Sequence, residues 1–177
     1  LIRPFPARIV RQEWARDVVC PMHDAMPPGR RAELLATNPM SYLQVTRSAL
    51  DMPGATPQAI GAANSSGLEH LLASGAYSPL LEPALDVAAF VDGRVLGHES
   101  VHPERVQALV HHFEAVPSRS ELVTVLHRSD PAIAALVATT TAGEPLLSLT
   151  DFTGVEQFVW RIPEKHVGPV VEGLSRS

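Results

Sequence analysis

The chain has 177 residues, 45% hydrophobic and 19% charged, which gives enough apolar mass for a packed core and more order than a disordered tail. A net charge of −5 speaks against the basic footprint that nonspecific nucleic-acid binding or a polybasic membrane surface requires. The single cysteine, Cys20, excludes an internal disulfide framework, and no apolar run nears the ~18 residues of a transmembrane helix, so a cytoplasmic setting is expected.

In chain order, Phe5 to Val10 reads as a short extended edge, and Asp17 to Cys20 carries the β-formers Val18 and Val19 ahead of the loop Pro21-Met22-His23-Asp24. Pro28 opens a helix through Ala36. Asn38-Pro39 closes it, because a residue before proline is pushed out of the helical region. Tyr42 to Thr46 reads as a strand. Thr56-Pro57 caps and starts a helix ending near Ser74-Gly75, and the poor helix formers Asn64-Ser65-Ser66-Gly67 invite a break in its middle. Leu85 to Val91, the Asp92-Gly93 turn and Arg94 to Gly97 read as a hairpin.

Pro103 starts an amphipathic helix. Val106, Leu109, Val110 and Phe113 recur at helical spacing as its apolar face, while Glu104, Gln107, His111 and Glu114 fall opposite, which turns His111 to solvent. Leu122 to Leu126 reads as a buried strand, and Asp130-Pro131 starts a helix through about Ala138. Leu146 to Leu149 and Val155 to Ile162 form a second hairpin around Asp151–Gly154, and Pro163 to Leu174 is helical with an interruption at Gly168-Pro169. Hairpin links among interspersed helices predict an α+β fold, a mixed sheet with two hairpins and several packed helices, over a doubly wound parallel sheet.

His98-Glu99-Ser100-Val101-His102 matches the zinc pattern H-E-x-x-H, which needs one helix through all five residues. Gly97 and Pro103 deny it that helix, and Ala108 stands where a third histidine would complete the longer pattern, so no metal site is expected. His111 and His112 diverge by about 100° on a helix and cannot chelate together. Glu99 can act as a general base, as a water-mediated magnesium ligand, or as an acid near a helix N-terminus; the last is the more common use. Asp24, beside His23, either binds a ligand or fixes an Asx turn before Pro27. Cys20 between Val19 and Pro21 has the setting of a buried, inert thiol more than of a nucleophile. Arg105 and Arg119 suit a phosphate or carboxylate, or plain solvent. The standard phosphate-binding glycine loops and the G-x-S-x-G elbow are absent from the sequence.

Ile2-Arg3-Pro4-Phe5, Val18 through Asp24, Asn38-Pro39, Gly97-His98-Glu99, Arg105 and Phe158-Val159-Trp160-Arg161-Ile162 occur in an order similar to the domain-of-unknown-function 1015 family of bacterial and archaeal proteins. The resemblance spans nearly the whole chain. Met22 and His23 stand where the family loop has proline and tyrosine, so no role passes to His23. The resemblance implies a chain that is either a single domain or the N-terminal half of a protein about twice as long, cut before an Asp-Gly-His-His-Arg motif. That motif is similar to one in ParB-like proteins, which implies a ParB-like fold for the complete protein and, for the family, a nucleotide- or phosphometabolite-dependent phosphotransferase using Mg2+.

On that reading Glu99 and His98 are catalytic, as base or magnesium-water ligand and as orienter. Asp24 and Arg105 bind the ligand, and the implied partners are a small molecule and the missing C-terminal half, without nucleic acid or membrane. The alternative is a noncatalytic ligand- or partner-binding module, or an inactive truncated fragment.

Overall fold

The computed structural model describes residues 2–5, 7–21, 26–79, 84–87, 103–118, 129–151 and 154–176. Two short strands, β1 (Ile2–Phe5) and β2 (Arg8–Val10), lead through a 3₁₀ turn at Gln12–Trp14 into the single-turn helix α1 (Ala15–Val18). Then come α2 (Pro28–Thr37), a 3₁₀ helix at Tyr42–Val45, α3 (Pro57–Ala73), β3 (Tyr77–Pro79) and β4 (Ala84–Val87). The chain continues with α4 (Pro103–Ala115), α5 (Pro131–Thr141), β5 (Leu147–Thr150), β6 (Glu156–Val159) and α6 (Val167–Arg176).

The fold is α+β. The described strands pair antiparallel, two by two: β1 with β4, β2 with β3, and β5 with β6. The expected hairpin around Asp151 is present, with Leu147 opposite Val159 and Thr150 opposite Glu156. Asp151 builds its turn: its N–H donates to Val155 O at 2.9 Å, and its Oδ1 accepts from Val155 N–H at 3.0 Å. Gly154 takes the positive φ of +83° that closes the turn, which costs glycine nothing sterically. The turn at Asp92-Gly93 and the strand at Leu122 to Leu126 lie outside the described residues.

Several local expectations are overturned. Tyr42–Val45 is a 3₁₀ helix, not a strand: the Ser41 hydroxyl accepts from Leu43 N–H at 3.3 Å and starts a tight turn. Val18 ends a helical turn begun at Ala15. The helix near the C-terminus passes straight through Gly168-Pro169. Pro169 sits in its first turn, where the missing N–H has no intrahelical acceptor to lose.

The interior is one cluster that draws Val10, Ala15, Val18, Val45, Leu71, Ala76, Val116 and Leu147 together, with Trp14, Tyr42, Leu68 and Tyr77 against it. Each buried Val or Leu among them contributes about 1.5–3 kcal/mol. Gln12 adds a polar tie to the same region. Its side-chain amide donates to Ser148 O at 2.7 Å and accepts from Ser148 N–H at 3.0 Å, pairing the outer edge of β5 as a strand would.

α5 begins where Asp130-Pro131 predicts. The Asp130 Oδ1 accepts from Ala132 N–H at 2.8 Å and Ile133 N–H at 3.1 Å, satisfying two donors that the helix cannot pair internally. Asp130→Ala should therefore lower stability by about 1 kcal/mol. A thermal melt would read this as a drop of roughly 2–4 °C, and an unchanged midpoint would show that the cap is dispensable.

α4 departs furthest from its pattern. Val106, Leu109, Val110 and Phe113, the expected core face, are 41–43% exposed. The helix instead sets Ala115 against Gly61 of α3, so close that a Cβ on Gly61 would lie 2.7 Å from that of Ala115.

Candidate functional site

The site begins with a loop pinned from two sides. Asn64, buried in the middle of α3, donates its amide to Arg47 O at 3.0 Å and accepts from Arg47 N–H at 2.9 Å. From α2, the buried Arg31 donates Nε–H to Asp51 Oδ1 at 2.6 Å and Nη2–H to Thr46 O at 2.7 Å. Asp51 Oδ2 accepts from Ser48 N–H at 2.8 Å and from the Ser48 hydroxyl at 3.0 Å. Burial pushes the Asp51 carboxyl up, but the bonds from Arg31 and Ser48 and the Arg31 charge outweigh it and hold the group below the usual carboxylate range. Residues 46–51 are thereby fixed on a rigid frame.

Arg47 reaches back along this frame. Its Nη1 donates to Gln44 O and to Ala63 O, and its Nη2 to Gln44 Oε1. All three acceptors are uncharged. Burial pulls the guanidinium below its ordinary value while the Asp51 charge opposes that shift, and at neutral pH an arginine keeps its proton. The three bonds leave Nε–H and one Nη2–H, two donors able to meet a carboxylate. No described residue accepts from Nε.

Arg47 borders a cavity of about 240 Å³ between α3 and α4. Ser48 and Ala49 continue the loop wall, α3 supplies Pro57, Ile60, Gly61 and Asn64, and α4 supplies Ala108, His111 and His112. Among the described residues of that lining there is no Asp or Glu. His111 is exposed, as its place opposite the apolar stripe predicts, yet it forms part of the wall, with its Nε2 3.5 Å from Gln107 Nε2. Ala108, His111, His112 and Ala115 share one helical face at spacings of three and four residues, and that face, not the apolar one, looks toward α3. The arrangement can hold a small anion: a partly buried cation in the loop, imidazoles on α4, and aliphatic groups on both helices between them.

Of the residues singled out from sequence, Arg105 lies on the first turn of α4 and is exposed, on the same stripe as Ala108 and His112. Asp24, His98 and Glu99 lie outside the described residues, as do His23, His102 and Arg119. Cys20 is half-buried near Ser41 and Leu43. Burial pushes its thiol up, against smaller opposing effects from the Ser41 hydroxyl, the Arg31 charge and the Leu43 backbone. Among the described residues no group of three or more metal-ligating side chains gathers. No described helix is long and apolar enough to cross a membrane.

Sequence reasoning missed Arg47, Ser48 and Asn64. A signal was present in Asn64 and Gly67, helix-weakening residues inside a helix that nonetheless forms, since such residues are tolerated where another segment needs their amide or their lack of a Cβ.

The family model described as "Protein of unknown function (DUF1015)" matches residues 81–175, more than half of the 177-residue chain. The chain belongs to this family. The DUF1015 match corrects the resemblance in two ways. It lies in the C-terminal part of the chain and leaves Ile2–Phe5, Val18 to Asp24 and Asn38-Pro39 outside it, so the reading of an N-terminal half carried by those motifs does not hold. It also reaches residue 175, which removes the ground for naming a missing C-terminal half as a partner. The cavity straddles the match: α4 falls inside the DUF1015 region, while α3 and the Arg47 loop precede it. No curated protein and no solved structure matches the chain.

Proposed function

We propose that this DUF1015 protein is a noncatalytic ligand-binding module that seats a small anion in the α3–α4 cavity. The supporting observation is Arg47: a guanidinium bonded to uncharged acceptors, bordering a cavity whose described wall residues include no carboxylate. A partly desolvated cation gains more from an anion than a solvated one does, because the local dielectric is lower. The phosphotransferase reading, with Mg2+ and a nucleotide, draws on the family resemblance and on His98 and Glu99, which lie outside the described residues.

The test is an amide NMR titration with sodium acetate and with inorganic phosphate at low ionic strength. Saturable shifts confined to residues 47–49 and 108–112 are expected, with dissociation constants on the order of a millimolar for such minimal probes. Ala108→Glu, a change between two good helix formers, should abolish the shifts by placing a carboxylate in the wall. Ala108→Gln, of similar bulk and no charge, should retain part of them. Equal loss in both variants would mean that bulk, not charge, governs the site. No saturable shift with either anion would overturn the reading.

A further inference from the structure

We infer that the ligand of this cavity is a small carboxylate carrying a short aliphatic tail, and not a nucleotide or an inorganic anion. This rests on the anion-binding reading and names the class of ligand. The volume sets the first limit. At about 240 Å³ the cavity lies below the roughly 300–1,000 Å³ of drug-sized ligand sites, so a small molecule matches it better than a nucleotide does.

The division of the wall sets the second limit. Arg47 gives the wall its cation, while Pro57 and Ile60 of α3, with Ala108 of α4, give it an aliphatic part beside the polar Asn64, His111 and His112. An anion that is polar all round, such as phosphate, would desolvate against those aliphatic groups without return. A molecule with one charged end and one apolar end satisfies both sides. The remaining donors of Arg47, Nε–H and one Nη2–H, suit the oxygens of a carboxylate. The exposed His111 imidazole at the same wall suits an anion and adds no negative group.

The tail contributes in proportion to its buried carbons. Each methylene removed from water is worth about fourfold in affinity. Isovalerate has three more carbons than acetate, so partial burial of its branch should give at least roughly tenfold tighter binding.

The experiment extends the NMR titration of the full chain to isovalerate, acetate, inorganic phosphate and adenosine monophosphate. The expected order is isovalerate tightest by about tenfold or more, acetate and phosphate weak, and the nucleotide without shifts at residues 57–61. Ile60→Ser should bring the isovalerate-to-acetate ratio down towards unity, because the variant removes the aliphatic surface and leaves Arg47 in place. Phosphate binding as tightly as isovalerate would overturn the carboxylate-and-tail assignment while leaving anion binding intact. A nucleotide that binds most tightly would overturn it in the same way. If none of the four probes binds saturably, the anion-binding reading fails and takes this assignment with it.

Discussion

Asp51→Ala should destabilise the protein by about 3–5 kcal/mol, the largest effect expected of any single polar substitution here. Asp51 and Arg31 are 5% and 7% exposed at the side chain and meet at 2.6 Å, so removing the carboxylate strands a guanidinium away from water. Arg31 already carries one buried nitrogen, Nη1, without a hydrogen-bond partner, and the loss of Asp51 would add Nε to it. The Ser48 N–H and hydroxyl would lose their acceptor in the same step.

In a chain of this length the change corresponds to a fall of roughly 6–20 °C in the melting midpoint. The double replacement Arg31→Met with Asp51→Leu should recover part of that loss, because an apolar pair of similar bulk leaves no buried charge unpaired. If the single variant melts within a degree or two of the parent, the pair contributes nothing net.

The same pair sets an acid limit. The folded Asp51 carboxyl is held below its unfolded value, which lies near 3.9. Its contribution is therefore fully present above that value and is lost as the pH falls through the lower, folded one. Denaturant melts from pH 6 down to about pH 2 should show the parent losing more stability than Asp51→Asn over the acid end. Parallel profiles would show that another carboxylate governs acid unfolding.

Gly67→Ala should destabilise by about 2 kcal/mol or more, although alanine is the better helix former by about 1 kcal/mol. A Cβ at this position would sit 2.3 Å from the carbonyl oxygen of Gln44 and 2.8 Å from its carbon, both backbone atoms that cannot rotate aside. To admit the methyl, α3 must back away from the 3₁₀ helix at Tyr42–Val45, where Leu43 and Val45 are fully buried. Gly67 is inside a helix at ordinary helical φ, so the effect is one of space and not of backbone conformation. A midpoint several degrees lower is expected. A midpoint raised by the propensity gain would show that the two segments can separate without cost. Gly29, with nothing within 4 Å of its would-be Cβ, is the control, and Gly29→Ala in α2 should not destabilise.

The legible parts of this protein were those with local causes. Pro28 and Pro57 at helix starts, Asn38-Pro39 at a helix end, the Asp130-Pro131 cap and the Asp151–Gly154 turn all act within four or five residues, and each element forms where they place it. Class followed from the same signals, since hairpin links among helices imply α+β. Arg105 was legible as an exposed cation near the start of a helix. Asp24, His98 and Glu99 rest on resemblance, and their positions lie outside the described residues.

Composition and local pattern alone determined the α+β class, the helix boundaries set by proline and the absence of a disulfide framework. Tertiary structure alone decided three other things. It made Tyr42–Val45 a 3₁₀ helix, because apolar Leu43 and Val45 flanking polar Gln44 satisfy a strand pattern equally well until the Ser41 cap and the contact with α3 choose. It kept α3 whole through Asn64 and Gly67, because their poor propensity is offset by the Arg47 clamp and by the close approach of Gln44. It turned the 108–111–112–115 face of α4 toward α3 and left the more apolar stripe exposed. Periodicity measures which face is apolar, whereas the helix–helix approach also depends on which face is small enough, and Gly61 against Ala115 provides the small one. The cavity beside Arg47 follows from that turn, and no local pattern in the sequence encodes it.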